Sequence, residues 1–138
     1  MTLVEPPVQF LNRPDGTRLA YRHLRGEGPT IVFLPGYMSD MQGGKAQALA
    51  AWAQTQNRAM LRLDYSGCGE SDGEFESGTL DVWRDDVCAV IAAVVTVVLL
   101  IAAVLVGGIF FFRAVEETVD LLQSAIPSGL PTNLPTEL

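Results

Sequence analysis

Two glycine-rich loops hold most of the side chains in this sequence that could take part in catalysis. The first, residues 35–44, reads PGYMSDMQGG, and the second, residues 64–78, reads DYSGCGESDGEFESG. In the second loop, the hydroxyls of Ser66 and Ser71 and the thiol of Cys68 are candidate nucleophiles. Nucleophilic chemistry at any of them requires a base within hydrogen-bond reach.

The only histidine, His23, is the one candidate for a general base with a pKa near neutrality. It lies far upstream of the serines in a predicted strand, so we interpret it as a strand residue that faces solvent or a neighbouring strand. Serine in a glycine-rich loop commonly bonds the local backbone, and Cys68, between two glycines, fits a crowded turn. We therefore predict no catalytic side chain among these residues.

The second loop also concentrates acidic side chains, namely Asp64, Glu70, Asp72, Glu74 and Glu76. Their spacing is not that of a calcium-binding loop, so we interpret the cluster as a solvated turn. The glycines of the loop could cradle a phosphate group, but the neighbouring carboxylates would repel an anion. The sequence therefore predicts neither a metal nor a cofactor.

The overall charge limits the partners of the chain. The 138 residues carry a formal net charge of −7 and no basic stripe, which argues against nucleic acid as a partner. The two cysteines, Cys68 and Cys88, are not expected to form a disulfide, and this usage fits a reducing compartment. The N-terminus, MTLVEPPVQF, lacks the pattern of a secretory signal peptide. We expect residues 1–86 on the cytoplasmic side.

The elements that must position the loops can be predicted from the apolar pattern. Residues 8–11 and 19–24 alternate like strands and flank a Pro-Asp-Gly turn, which indicates an antiparallel hairpin. Residues 30–34, TIVFL, and 59–63, AMLRL, are short apolar runs typical of buried parallel strands. Because ligands of open α/β sheets bind at the carboxyl ends of such strands, both loops are placed at the expected binding edge.

Two predicted helices complete this part of the chain. Residues 45–56 have apolar side chains at helical spacing and separate the two parallel strands. Thr79 is a suitable N-cap for a second helix, with Asp81 in its first turn. That second helix runs without a break into a long apolar segment.

With these elements in place, residues 12–94 resemble the α/β-hydrolase family. The order is hairpin, strand, Pro-Gly loop, helix, strand, the loop D-Y-S-G-C-G-E-S-D-G, and helix. That loop is similar to the D-x-R-G-x-G-x-S-x-G loop of the family, with Ser66 at the usual arginine and Cys68 at the frequent histidine. The whole run from residue 12 to about residue 94, including the stretch PDGTRLAYRHLRGEGPTIVFLPGYMSD, resembles most closely the bacterial and mitochondrial palmitoyl-protein thioesterase branch.

The resemblance implies a serine hydrolase whose substrate is an acyl ester or thioester. In this family a backbone N–H of the loop after the first parallel strand helps to bind the oxyanion. The matching position here is Tyr37, and Met38 is the second choice.

The chain departs from the family where the nucleophile should lie. Residues 69–73 match G-x-S-x-G, but they belong to the second loop, before the position of the family's nucleophile. No G-x-S-x-G follows that loop, and the nearest local similarity there, residues 104–110, has Ile109 where serine is required. His23 precedes any possible nucleophile, and the part of the family fold that carries acid and base is not found. We therefore predict that this chain alone is inactive. Near Val94 the hydrolase-like part is joined to an unrelated apolar segment. Three origins of this join are consistent with the sequence: a natural fusion, a truncated gene and an assembly artefact.

The unrelated apolar segment, residues 87–112, contains no charge and one polar side chain, Thr96. As a helix it would be about 39 Å long, against about 30 Å for the hydrocarbon core of a bilayer. The alternative is a buried helix, or two buried strands with breaks near Val94 and Gly107, in a water-soluble protein. The remaining chain is too short to cover such a helix, so we predict a transmembrane span.

The fold class predicted is α/β: the N-terminal portion of an α/β-hydrolase sheet, with a hairpin, two parallel-type strands and two helices. We predict a partial hydrolase-like domain at residues 1–86 and a transmembrane helix at residues 87–112. Residues 113–138 are predicted to contain an amphipathic helix, at residues 114–125, and a disordered Pro/Thr-rich tail.

The expected partners are the lipid bilayer, an acyl substrate by resemblance, and a strand that pairs with the open edge of residues 30–34. The alternative function is a single-pass membrane protein whose N-terminal part is a cytosolic binding module. Arginines flank the apolar segment on both sides, so the positive-inside rule does not decide its orientation.

Overall fold

A computed structural model describes residues 4–125 of the chain. Four strands, two α-helices and one short 3₁₀ helix follow one another in an α/β arrangement. In chain order they are β1 (Gln9–Asn12), β2 (Arg18–Leu24), β3 (Glu27–Phe33), α1 (Gly44–Thr55), β4 (Arg58–Leu63), the 3₁₀ helix (Phe75–Ser77) and α2 (Leu80–Ala125). The predicted tail, residues 126–138, lies outside the described residues.

The four strands form one mixed sheet in the order β1-β2-β4-β3. β1 and β2 pair antiparallel, as predicted for the hairpin, with Phe10 opposite Ala20. β3 and β4 pair parallel, with Val32 beside Leu61, and β2 joins the two pairs by running antiparallel to β4. The predicted fold class is therefore confirmed.

Side chains of β4 alternate between two apolar layers, as period-2 geometry requires. Leu61 and Leu63 point to one face and pack with Leu19 and Val90, the latter from α2. Met60 points to the other face. There it packs against the small side chains of α1, Ala50 and Ala53. The sheet is thus covered by one helix on each face near β4.

β3 forms one edge of the sheet. It pairs with β4, and within residues 4–125 no strand pairs with its other side. Pro29 lies in this strand, where its missing N–H is tolerated because an edge strand has unpaired positions. Val32, at 36% exposure, is an apolar side chain that remains accessible beside this edge.

The start of α2 is set by Thr79, as predicted. Its Oγ1 accepts the N–H of Val82 at 3.2 Å, which satisfies one of the free donors of the first turn. The next turns of the helix, through Val94, pack against the sheet with Val87, Val90 and Ile91. This packing fixes the amino-terminal part of α2 on the domain.

Residues 97–124 of α2 form a separate unit in which the side chains are exposed. The helix continues through Val94 and Gly107, so the breaks required by the soluble alternative are not present. Residues 114–125, predicted as an amphipathic helix, are the last turns of the same helix. By length and composition Leu80–Ser124 is a candidate membrane span, and its most apolar window has a mean hydropathy of 3.2.

Candidate functional site

The two glycine-rich loops follow β3 and β4 at the same edge of the sheet, and the Asp64 carboxylate joins them. One oxygen accepts the N–H of Met41, in the first loop, at 2.7 Å. The other accepts the N–H of Glu70, in the second loop, at 2.9 Å. Asp64 is fully buried, so its predicted place in a solvated turn is wrong: the side chain turns inward to bond these amides.

The Met41 peptide is also held from its carbonyl side. Nη1 of Arg62 donates to the Met41 carbonyl oxygen at 3.1 Å, and Nη2 donates to the Glu5 carboxylate at 2.6 Å. Arg62 and Asp64 lie two residues apart around the end of β4. Two buried side chains from this one stretch therefore fix the position of the first loop.

Gly69 allows the second loop to approach Asp64. Its φ is +51°, in the left-handed region, and a Cβ at this position would overlap the Asp64 carboxylate. Glycine removes both the backbone strain and the collision. The glycine pattern of this loop is thus explained by close packing around a carboxylate, not by phosphate binding.

Ser71 attaches the second loop to β2. Its Oγ accepts the N–H of Ala20 at 2.8 Å and donates to the carbonyl oxygen of Asp64 at 2.8 Å. Next to it, the Asp72 carboxylate lies 3.4 Å from the Arg18 guanidinium. The Ser71 hydroxyl is used twice in structural bonds, which supports its interpretation as a turn residue.

Asp86 attaches the same loop to α2. Its buried carboxylate accepts the Ser66 N–H at 2.8 Å and the Ser66 hydroxyl at 2.6 Å. It also pairs with the Arg13 guanidinium at 2.6 Å. Ser66, which replaces the family's arginine, is therefore also a structural residue. Sequence reasoning missed Asp86 and Arg13, because they lie 73 positions apart.

Aromatic rings pack between the loops and the first turns of α2. Phe75 contacts Tyr37 edge-on, with ring centroids 5.2 Å apart, and Trp83 at 5.8 Å. Trp83 stacks on Tyr65 at 5.3 Å and donates its indole N–H to the Ser66 carbonyl at 3.1 Å. This cluster gives the tip of the first loop a defined apolar neighbour.

The predicted oxyanion donors lie at that tip. Tyr37 and Met38 are 75% and 74% exposed, and Met38 has a φ of 53°. A turn closes around them, with the Ser39 N–H donating to the Gly36 carbonyl at 3.1 Å. In the described part of the chain, the Tyr37 and Met38 N–H groups donate no hydrogen bond. Both are available to a ligand oxygen.

His23 and Cys68 do not join these groups in a catalytic arrangement. His23 lies in β2 opposite Leu61, and partial burial, aided by the charge of Arg25, lowers its pKa. Burial, with the nearby Asp64 charge, raises the pKa of the Cys68 thiol and so disfavours the thiolate. Within residues 4–125, no group of three or more metal-ligating side chains is assembled.

Burial also makes Asp64 a source of pH dependence. Desolvation raises the pKa of its carboxyl, and the two N–H bonds offset this only in part. A raised folded-state pKa means that protonation favours the folded state. The contribution of Asp64 to stability is therefore full below its unfolded pKa and declines as the pH rises through the folded pKa.

We expect the free energy of unfolding of the wild type, minus that of Asp64→Asn, to be larger at low pH than at neutral pH. Urea unfolding in detergent, followed by tryptophan fluorescence across that range, measures it. The same comparison with Asp72→Asn, an exposed carboxylate of the same loop, is the control. A difference that grows with pH would contradict the assignment.

This fold and this loop pair define the class of the domain: it has the fold of the N-terminal part of an α/β-hydrolase. The resemblance found in the sequence is confirmed by two kinds of comparison, although no family model matches the chain. Over 84 residues, it is 49% identical to the human protein named palmitoyl-protein thioesterase ABHD10, mitochondrial. The alignment covers 61% of this chain and 28% of that relative.

Solved structures give the same result. The mouse alpha/beta hydrolase domain-containing protein 10 matches with a TM-score of 0.59 and 42% identity, over 62% of this chain and 34% of that chain. A putative hydrolase from Agrobacterium vitis matches with a TM-score of 0.56 and 30% identity, over 63% and 36% of the two chains. This chain thus spans 28–36% of the length of these three proteins.

Proposed function

We propose that the N-terminal domain is an acyl ester or thioester hydrolase domain of the palmitoyl-protein thioesterase type. The observation that carries this proposal is the first loop, clamped through Met41 while the N–H groups of Tyr37 and Met38 remain free. Two free donors in a fixed loop beside the end of β3 suit an oxyanion. The name of the human relative supplies the acyl substrate class.

We further propose that this chain alone does not turn over substrate. The serine hydroxyls of the second loop are engaged, that of Ser66 by Asp86 and that of Ser71 by Asp64 and Ala20. Neither bonds to His23. The one G-x-S-x-G of the 138 residues, Gly69–Gly73, contains this engaged Ser71, and none follows it where the family places its nucleophile. The nucleophile, acid and base would have to come from another polypeptide segment. The free edge of β3 is the position at which we propose that such a strand pairs.

The third part of the proposal is that α2 anchors the domain in a bilayer, with the N-terminal domain on the cytoplasmic side. It is supported by the apolar, exposed side chains of residues 97–112. Residues 1–86, 87–112 and 113–138 remain our proposed domain boundaries. The same observation favours the alternative function, a single-pass membrane protein with a cytosolic binding module.

One set of membranes tests the inactivity and the anchor. Cells that express the full chain are fractionated, and separate portions of the membranes are washed with carbonate, treated as sealed vesicles with protease, or probed untreated with a fluorophosphonate and a palmitoyl thioester. We expect the chain in the washed membrane pellet, with its N-terminal domain cleaved by protease from the cytoplasmic side, and neither probe labelling nor turnover. Release by carbonate would contradict the anchor, and fluorophosphonate-sensitive turnover would contradict the inactivity.

A further inference from the structure

The N-terminal segment, residues 4–6, is bonded to the helix and strands that support the first loop. The Val4 N–H donates to Oε1 of Gln54, on α1, at 3.0 Å. The Glu5 carboxylate pairs with Arg62, on β4, at 2.6 Å. Two consecutive residues, Val4 and Glu5, thus hold the segment in place. The partner of Glu5 is buried, since the Arg62 side chain is 3% exposed.

Arg22 takes part in the same arrangement. It lies opposite Arg62 in the β2–β4 register, and one of its amino groups is 3.7 Å from the Glu5 carboxylate. The same amino group donates to the Pro6 carbonyl, while the other is 3.8 Å from the Glu70 carboxylate. Its Nε is buried and, within the described residues, has no hydrogen-bond partner. Two arginines on one face of the sheet therefore share the carboxylate of Glu5.

The partners of Arg62 link this carboxylate to the first loop. Its two terminal nitrogens bond only two groups in the described chain, the Glu5 carboxylate and the Met41 carbonyl. A buried guanidinium without its carboxylate is unfavourable and turns towards another acceptor or water. It would then leave the Met41 carbonyl. The bond of the Met41 N–H to Asp64 would be the one remaining attachment of this peptide, and it would open more often.

We propose that Glu5 is a positioning residue, which acts through Arg62 on Met41 and thereby fixes the loop that carries the Tyr37 and Met38 N–H groups. The functional meaning of this link rests on the proposed oxyanion role of those groups. The mechanical link itself does not, because it is made of bonds between Glu5, Arg62 and Met41. The N-terminal segment is then part of the site although it lies 32 residues before Tyr37 in the chain.

The test is amide hydrogen exchange of the full chain in detergent, comparing Glu5→Ala with the wild type. In the first loop, the Ser39 and Met41 amides donate hydrogen bonds in the wild type, and we expect both to exchange about tenfold faster or more, the effect of losing one hydrogen bond to a charged group. The amides of residues 66–73 should keep their wild-type rates, because Asp64, Ser71 and Asp86 still hold the second loop. Glu27→Ala, which removes an exposed carboxylate of β3, should change neither region.

Acetate provides a rescue that a merely structural role would not show. In Glu5→Ala, concentrated sodium acetate should restore slow exchange of the Ser39 and Met41 amides by pairing with Arg62 and Arg22, whereas sodium chloride at equal ionic strength should not. If Glu5→Ala does not fold, Glu5→Gln keeps the side-chain shape and is measured instead. The proposal is overturned by unchanged exchange in the first loop, by uniform acceleration across the domain, or by the absence of acetate rescue. Fluorophosphonate labelling, which tests the proposed function, is measured separately, so failure of this proposal and failure of the proposed function can be told apart.

Discussion

Asp86→Ala is expected to lower the free energy of unfolding of the domain by about 3–5 kcal/mol, the typical effect of removing one partner of a buried ion pair. The Asp86 carboxylate is fully buried and has three partners, the Arg13 guanidinium and the N–H and hydroxyl of Ser66. Alanine leaves the N–H and hydroxyl of Ser66 without this acceptor, and it leaves Arg13 with only the exposed Asp15 carboxylate, at 3.4 Å. The join between the second loop and α2 is then lost.

The measurement is urea unfolding in detergent, with Trp83 as a reporter because it bonds the Ser66 carbonyl. Asp85→Ala is the matched control. Its carboxylate is exposed and pairs only with the exposed Arg84 in the described chain, so little change is expected. An Asp86→Ala protein as stable as the Asp85→Ala protein would show that the buried network contributes nothing net.

Gly69→Ala is expected to destabilise the domain by at least about 3 kcal/mol, the sum of left-handed backbone strain and a steric collision. The φ of Gly69 is +51°, and the new methyl group would overlap the buried carboxylate of Asp64. Relief would require Asp64 to move away from the N–H groups of Met41 and Glu70. Both loops would lose their common anchor.

Gly16→Ala separates the two contributions. Gly16 also has a positive φ, +89°, but a Cβ there meets nothing within 4 Å. We therefore expect it to cost only the backbone strain, about 1–2 kcal/mol. Thermal and urea unfolding of both variants measure the difference. Equal effects in the two proteins would mean that Asp64 can move aside freely and that the close approach of Gly69 has no energetic role.

The apolar pattern was sufficient to predict the strands, the helices and the direction of pairing. Alternation in residues 19–24 and the continuous run at 59–63 correspond to β2 and β4 with small shifts at the ends. β3 begins at Glu27, three residues before the predicted start at residue 30, so Gly28 and Pro29 lie inside the strand. The Glu27 N–H donates to the Asn57 carbonyl at 2.7 Å, and an edge position tolerates the proline.

The network behind the site could not be predicted from local patterns. The Tyr37 loop was found because its position after a parallel strand is a local feature. The partners Glu5 and Arg62 lie 57 positions apart, and neither has a neighbouring sequence signal. Such pairs are created by the sheet order, which brings distant segments together. The predicted solvated turn around Asp64 failed for the same reason, because the Met41 N–H comes from another loop.

β4 combines two alternating roles in one strand, and this makes its length critical. Leu61 and Leu63 face α2, while Arg62 and the Asp64 that follows hold the first loop. A one-residue insertion or deletion within this strand would move its side chains to the opposite face of the sheet. A guanidinium would then lie in the leucine layer, and a leucine would lie against the loop peptide. Conservative replacements in β4 can be absorbed one at a time, but a one-residue insertion or deletion there would abolish both the core and the loop attachment together.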